Sequence, residues 1–85
     1  MRISRSKKFD KEFNKLPEFV QSAFKKRFQL FLSDEFYPLL HNHKLNPPYE
    51  GYRSIDITGD IRLIYENLED GYGLVRIGSH SELYR

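Results

Sequence analysis

The apolar positions of the first half of the chain recur with the period of an α-helix. Phe9, Phe13 and Leu16 form one stripe and predict a first helix over residues 6–16, with Ser6 capping its free backbone N–H groups. Pro17 fits the first turn of a second helix, which is expected to end near residues 33–34. The apolar stripe of that helix comprises Val20, Ala23, Phe24, Phe28 and Phe31. Both stripes are interpreted as core, and not as surfaces that stack on nucleic-acid bases.

In the second half the pattern changes to the alternation typical of β-strands. Strands are predicted over residues 52–57, 61–65 and 74–77, joined by tight turns at Thr58-Gly59 and Asp70-Gly71. A short edge strand over 2–5, a loop over 35–50 and a last helical turn from Ser79 to Tyr84 complete the chain. The predicted fold class is therefore α+β, in the order β-α-α-β-β-β. Two helices should pack on one face of a small antiparallel sheet and leave its other face open.

Length and composition limit the kind of protein that this chain can form. It has 85 residues, enough for one domain over 1–85, and its seven Phe and six Tyr leave little volume for a deep pocket. An open groove suited to a polymer is therefore expected. The absence of cysteine excludes disulfides, a thiolate zinc site and a cysteine nucleophile. No apolar run approaches the roughly 20 residues that span a bilayer, so we expect a soluble, cytoplasmic protein that does not contact membranes.

The charges are distributed unevenly along the chain, although the net charge is only +2. Residues 1–32 contain nine Lys or Arg and three Asp or Glu, whereas residues 33–85 contain five and nine. The first half therefore offers a positive surface to a polyanion or to an acidic protein. On charge alone, however, a pair of simple solvated helix faces is the favoured interpretation.

Polar and ionisable residues of the second half cluster on predicted strands or directly beside their ends. His43 lies in the loop before the sheet, Asp56 and Arg62 flank the Thr58-Gly59 turn, and His80 follows the last strand. Tyr84 comes four residues after His80, on the same face of a helical turn. Imidazole groups can move the protons of phosphodiester cleavage, a guanidinium can hold the phosphate, and a phenol ring can stack on a base.

Each of these residues also has a purely structural interpretation. Asp56 and Arg62 suit a surface ion pair worth less than about 1 kcal/mol. His43 could cap a loop carbonyl, and Tyr84 could cover the edge of the sheet. Two histidines without a well-spaced carboxylate make a poor metal site, so no metal is expected.

Four stretches of the chain resemble the RelE/YafQ family of mRNA interferases, and they follow in the family's order along nearly the whole chain. They are FDKEFNKLP at 9–17, LLHNHKL at 39–45, GYRSIDITGDIRLIY at 51–65 and VRIGSHSELY at 75–84. The resemblance implies a RelE-like fold and the toxin of a type II toxin–antitoxin system. It also implies a ribonuclease that cuts messenger RNA in the ribosomal A site by transfer to the 2′-hydroxyl, without a metal or cofactor. The implied partners are a cognate antitoxin, acidic where it binds, and ribosomal RNA beneath the positive helices.

The resemblance also implies roles for individual residues. His80 aligns with the main catalytic histidine of the family and Tyr84 with an aromatic that contacts the RNA. His43 aligns with a histidine of the YafQ branch that assists proton transfer, and Asp60 with the acidic residue of its hairpin turn. Arg62 aligns with a phosphate-contacting arginine of the RelE branch.

Two positions depart from the family pattern and keep other functions open. Asp56 stands where YafQ-like members often have a second histidine, and Ile61 where many have tryptophan. A carboxylate can act as a base, but it also repels a phosphate. The alternatives are a ParE-like toxin that poisons gyrase without cutting RNA, and a catalytically weakened member that mainly binds its antitoxin.

Overall fold

The computed structural model describes residues 1–84, which form a five-stranded sheet, two long helices and a short final helix. The strands lie in the order β1-β5-β4-β3-β2. Their bounds are β1 Arg2–Arg5, β2 His43–Lys44, β3 Arg53–Asp56, β4 Ile61–Leu68 and β5 Gly71–Ser79. The helices are α1 Lys7–Asn14, α2 Glu18–Ser33 and α3 His80–Tyr84, and a single 3₁₀ turn spans Pro38–Leu40.

The two long helices form as the apolar spacing predicts. The Ser6 hydroxyl accepts a hydrogen bond from the Phe9 backbone N–H at 2.9 Å, so the predicted cap of α1 is confirmed. It also donates to the Val75 carbonyl at 2.7 Å, which fixes the start of α1 to β5. Pro17 stands immediately before α2, and that helix ends at Ser33, as expected.

The core lies between these helices and one face of the sheet. Five phenylalanine rings make a continuous series with neighbouring centroids 5.3 to 5.9 Å apart. These are Phe9, Phe13, Phe24, Phe28 and Phe31. They pack against Ile55, Leu63, Tyr65 and Ile77 of the strands. Both apolar stripes therefore belong to the core, as predicted. Each large side chain that is fully buried contributes about 1.5 to 3 kcal/mol to the free energy of unfolding.

The sheet differs from the sequence prediction in two respects. β3, β4 and β5 form the expected antiparallel meander, but β1 pairs with β5 in parallel, from Arg2 opposite Gly71 to Arg5 opposite Leu74. A long connection through two helices permits this parallel pairing, which no local pattern reveals. In addition, β2 extends the sheet within the segment 35–50, which was predicted to be a loop. The sequence did not indicate this strand, because two residues are too few to show a period.

The second face of the sheet is less open than expected. Ser54 and Ile64 alternate with the core-facing residues, yet both are fully buried. The short helix α3 covers part of this face: Leu83 is buried, and its carbonyl accepts a hydrogen bond from the Tyr49 hydroxyl at 3.0 Å. What remains uncovered is a groove beside β2, β3 and the start of α3.

Candidate active site

This groove has a volume of about 450 Å³ and brings together most of the residues singled out from the sequence. It is lined by His41, His43, Lys44, Leu45, Asn46, Ser54, Asp56, Arg62, His80 and Tyr84. Five of the six candidate site residues are therefore in one place. Asp60 is the exception, because it lies exposed in the turn between β3 and β4 and does not line the groove.

The start of α3 fixes His80 at the rim of the groove. The Ser79 hydroxyl accepts from the Glu82 N–H at 3.2 Å, and the Glu82 carboxylate accepts from the Ser79 N–H at 2.8 Å. This reciprocal cap makes His80 the first residue of the helix. Tyr84 follows one turn later, and its ring centroid lies 4.7 Å from that of His80. The predicted juxtaposition of imidazole and phenol is confirmed.

Tyr84 is held from behind by a second tyrosine. The Tyr49 ring meets it edge-on at 5.8 Å, and the Tyr49 hydroxyl accepts from Arg76 at 2.7 Å. Arg76 in turn pairs with Glu12 of α1. Burial raises the pKa of the Tyr84 phenol, and the nearby Ser54 hydroxyl and Arg62 guanidinium offset part of that rise. Tyr84 is therefore a neutral ring at physiological pH, suited to stacking.

Asp56 and Arg62 face each other across the β3–β4 ladder. The Arg62 Nε lies 3.0 Å from Asp56 Oδ1, and about one fifth of each side chain is exposed. Arg62 Nη1 also donates to the Thr58 and Gly59 carbonyls at 3.3 and 3.1 Å. Within residues 1–84 the two carbonyls engage the donors of Nη1, while the donors of Nη2 remain for a phosphate oxygen. The ion pair expected as the structural alternative is thus present, and it lies inside the groove.

Two histidines of the segment before β3 also line the groove: His41 follows the 3₁₀ turn, and His43 is the first residue of β2. His43 Nδ1 lies 2.9 Å from the His41 carbonyl, as the capping interpretation anticipated. His41 Nδ1 lies 2.8 Å from Asp56 Oδ2. Both rings are exposed on the groove. Because a carbonyl only accepts, the neutral His43 ring carries its proton on Nδ1 and leaves Nε2 as the proton acceptor.

Sequence reasoning missed two residues of the groove. His41 precedes His43 by two positions in the same LLHNHKL stretch, but the left-handed backbone that aims it at Asp56 leaves no periodic signal. Ser54 is fully buried, and its hydroxyl has no partner at hydrogen-bond geometry within the described chain, although it influences the Tyr84 phenol. The alternation of β3 gives no signal for its burial, because Ser54 shares its face of the strand with the polar Asp56.

Residues 1–84 contain no group of three or more His, Cys, Asp or Glu side chains arranged to hold a metal ion. Over the same residues, no helix has the length and apolar character required to cross a bilayer.

Solved structures of bacterial toxins share this fold. YafQ from Escherichia coli BL21(DE3) superposes with a TM-score of 0.81 at 21% identity, covering 99% of this chain and 98% of that one. YafQ in the E. coli DinJ–YafQ complex gives 0.72 at 23% identity, covering 99% and 98%. A metal-bound toxin from Helicobacter pylori gives 0.72 at 28% identity, covering 99% of each chain.

Sequence comparison gives the family directly. No curated protein matches the chain. The sequence model for YafQ, described as a bacterial toxin of type II toxin–antitoxin systems, matches residues 1–85, which is the whole length. The fold agrees with that match. The chain therefore belongs to the YafQ family of type II toxin–antitoxin toxins.

Proposed function

We propose that this protein is an endoribonuclease that cleaves messenger RNA in the ribosomal A site, in the cytoplasm. The observation that carries the proposal is the convergence of His80, Arg62 and Tyr84 on one open groove, together with His43. These groups supply proton transfer, phosphate binding and base stacking. A groove is also the shape that admits a single RNA strand, whose unstacked bases are reached by aromatic side chains.

Cleavage would proceed by attack of the ribose 2′-hydroxyl on the adjacent phosphorus, which leaves a 2′,3′-cyclic phosphate. His80 is the principal acid–base group, because it is exposed at the rim and fixed by the helix cap. His43 supports proton transfer through its free Nε2. Arg62 holds the phosphate through its remaining donors, and Tyr84 stacks on a base. Positioned acid–base groups of this kind accelerate reactions by about 10² to 10⁴.

The two acidic candidates take different places in this scheme. The Asp56 carboxylate is ion-paired with Arg62 and hydrogen-bonded to His41, so it positions these groups and does not accept the proton itself. Asp60 lies outside the groove, and we assign it no part in the chemistry.

Two partners follow from the surfaces outside the groove. The positive surface of residues 1–32 would lie on ribosomal RNA, whose phosphates attract Lys and Arg. The E. coli relative forms a complex with DinJ. By analogy, this toxin would bind a cognate antitoxin whose binding segment is acidic.

The proposal is tested by mapping RNA 5′ ends by primer extension after brief induction. Wild-type toxin should arrest growth and produce discrete cuts within translated messages, and His80→Ala should abolish both. His80 is exposed, so its variant should keep the wild-type melting temperature and antitoxin binding. Asp60→Ala is the matched control, since it changes a nearby acidic residue outside the groove and should leave cleavage intact. Undiminished cleavage by His80→Ala would refute the assignment, and altered DNA supercoiling without RNA cuts would indicate a gyrase poison.

A further inference from the structure

His41, Asp56 and Arg62 form a continuous polar series in the lining of the groove, in which a hydrogen bond joins the first two residues and an ion pair the last two. Asp56 uses one carboxylate oxygen for each neighbour: Oδ2 lies 2.8 Å from His41 Nδ1, and Oδ1 lies 3.0 Å from Arg62 Nε. The carboxylate is only one-fifth exposed, whereas 70% of the His41 side chain is exposed. The series therefore runs from a fixed ion pair to an imidazole that reaches solvent.

The contact with Asp56 determines where the neutral His41 ring holds its proton. A carboxylate only accepts hydrogen bonds, so His41 carries the proton on Nδ1. Its Nε2 then has a free lone pair on the side of the ring away from Asp56. An imidazole oriented in this way can take up a proton, and the carboxylate stabilises the imidazolium that forms.

The backbone at His41 is unusual for an exposed residue. Its φ of 49° and ψ of 46° are left-handed, a region that costs a residue with a Cβ atom about 1 kcal/mol or more. The neighbouring Asn42 keeps the chain in this conformation. Its amide donates to the Glu35 carbonyl at 3.0 Å and to the Tyr65 hydroxyl at 2.7 Å, and its carbonyl accepts from Arg53 at 2.7 Å. The fold thus holds His41 in a strained backbone conformation that directs its imidazole to Asp56.

We propose that His41 is the general base of the cleavage reaction and that Asp56 is its positioning residue. This inference rests on the proposed function. His41 Nε2 takes the proton of the 2′-hydroxyl while the 2′-oxygen forms its bond to phosphorus. The bond from phosphorus to the 5′-oxygen breaks, and that oxygen takes a proton from the His80 imidazolium. His41 ends protonated and His80 neutral, and exchange with water restores both.

The same contacts explain why neither neighbour is the better base. Asp56 has both oxygens engaged, one of them in an ion pair. His43 is anchored to a neutral carbonyl, which stabilises a positive ring less than a carboxylate does. The other charged or titratable side chains that line the groove with His41 are Lys44, Arg62, His80 and Tyr84.

The matched test is His41→Asn, measured as single-turnover cleavage of a short messenger bound to purified ribosomes. The asparagine amide can replace the Nδ1–H bond to Asp56, and asparagine tolerates the left-handed backbone. Only the proton acceptor is lost. The maximal cleavage rate should fall about 100-fold relative to the wild type. The toxin concentration that gives half of the maximal rate should stay within about twofold of the wild-type value, and the melting temperature should not change. The rise of the wild-type rate with pH on the acid side should also disappear, since a base acts only when deprotonated.

A second variant separates proton transfer from positioning. In His41→Gly the glycine tolerates the left-handed backbone and leaves space for an imidazole ring. Added imidazole should therefore raise the cleavage rate of this variant at least tenfold. The inference is refuted if His41→Asn retains a third of the wild-type rate while His80→Ala is inactive, a result that leaves the nuclease function intact. It is also refuted if His41→Asn is slow with an unchanged pH profile and imidazole rescues nothing. If wild-type toxin makes no cuts at all, the proposed function itself fails.

Discussion

Tyr65 lies at the centre of the hydrogen-bond network that anchors the segment leading from His41 into β2. Its ring is fully buried, its hydroxyl donates to the Glu35 carboxylate at 2.6 Å, and it accepts from Asn42 at 2.7 Å. Tyr65→Phe would delete both bonds and leave the ring in place. The substitution therefore isolates the polar network from the packing of the core.

The expected cost follows from the partners that the lost hydroxyl leaves behind. Asn42 keeps its bond to the Glu35 carbonyl at 3.0 Å, and the half-buried carboxylate keeps the Tyr72 hydroxyl at 3.2 Å. Neither partner is fully orphaned, so the loss should lie near the middle of the range for buried bonds to charged groups, about 2 kcal/mol. For a domain of this size that corresponds to a fall in melting temperature of about 10 °C. Tyr72→Phe removes one longer bond from the same carboxylate and should cost less than half as much.

The network also predicts an alkaline signature. Burial raises the pKa of the Tyr65 phenol far above its ordinary value, and the hydrogen bond to the Glu35 carboxylate raises it further. Above a pH of about 10 the unfolded chain releases a proton that the native chain retains. The stabilisation that the protonated Tyr65 phenol gives the native state is complete below that pH. It is lost as the pH rises above it, at about 1.4 kcal/mol per pH unit. The free energy of unfolding of Tyr65→Phe should therefore fall less steeply above pH 10 than that of the wild type.

Urea denaturation at pH 7 and at two pH values above 10 measures both effects. The midpoint of Tyr65→Phe should be lower at pH 7, with an unchanged slope against urea, and the gap to the wild type should narrow as the pH rises. A gap at pH 7 below about 0.5 kcal/mol, or one that stays constant to pH 11, would refute the account of Tyr65 as a buried donor to Glu35.

Three further substitutions test other parts of the structure by thermal denaturation. Gly71→Ala should cost more than about 1 kcal/mol, because a Cβ there would lie 1.7 Å from a backbone carbonyl oxygen of β1. The Cβ of the control Gly59→Ala would meet nothing within 4 Å, so that variant should change stability by less than about 0.5 kcal/mol. Equal effects of the two substitutions would contradict the parallel pairing of β1 with β5. Glu12→Gln removes the charge partner of the largely buried Arg76 and should cost about 2 kcal/mol, a loss that should persist in 1 M salt if burial and not surface attraction is the cause. Ser79→Ala removes the cap of α3 and should cost about 1 kcal/mol, with reduced cleavage. Full activity would show that the cap is not needed to place His80 for the proposed cleavage.

The elements that could be predicted from sequence are those whose signal is local. The helices α1 and α2 follow from the spacing of phenylalanines and from the Ser6 cap, and the meander follows from alternation broken at turns. Pairing that depends on distant segments was beyond such patterns. The parallel alignment of β1 with β5, and the two-residue strand β2, are decided by the completed sheet and not by their own residues.

The site shows the same division. His80 and Tyr84 could be found because one helical turn relates them, and Asp56 and Arg62 because a hairpin places them opposite each other. His41 could not, since its position depends on a left-handed residue held by the distant side chains of Tyr65 and Arg53 through Asn42. A sequence pattern records which residues are near in the chain, whereas this network joins residues more than ten positions apart.

The acidic residue in the groove is compatible with RNA binding because of its pairing. An isolated carboxylate about 4 Å from a phosphate would cost about 4 kcal/mol at the effective dielectric of a protein surface. Asp56 is not isolated: its charge is balanced by Arg62 at 3.0 Å, and Lys44 adds a further positive charge to the groove. A phosphate therefore meets a net positive surface before any histidine is protonated. Asp56 was the residue that left a weakened toxin open as an alternative, and its negative charge is no longer an argument against RNA binding. Protonation of the groove histidines would strengthen RNA binding further.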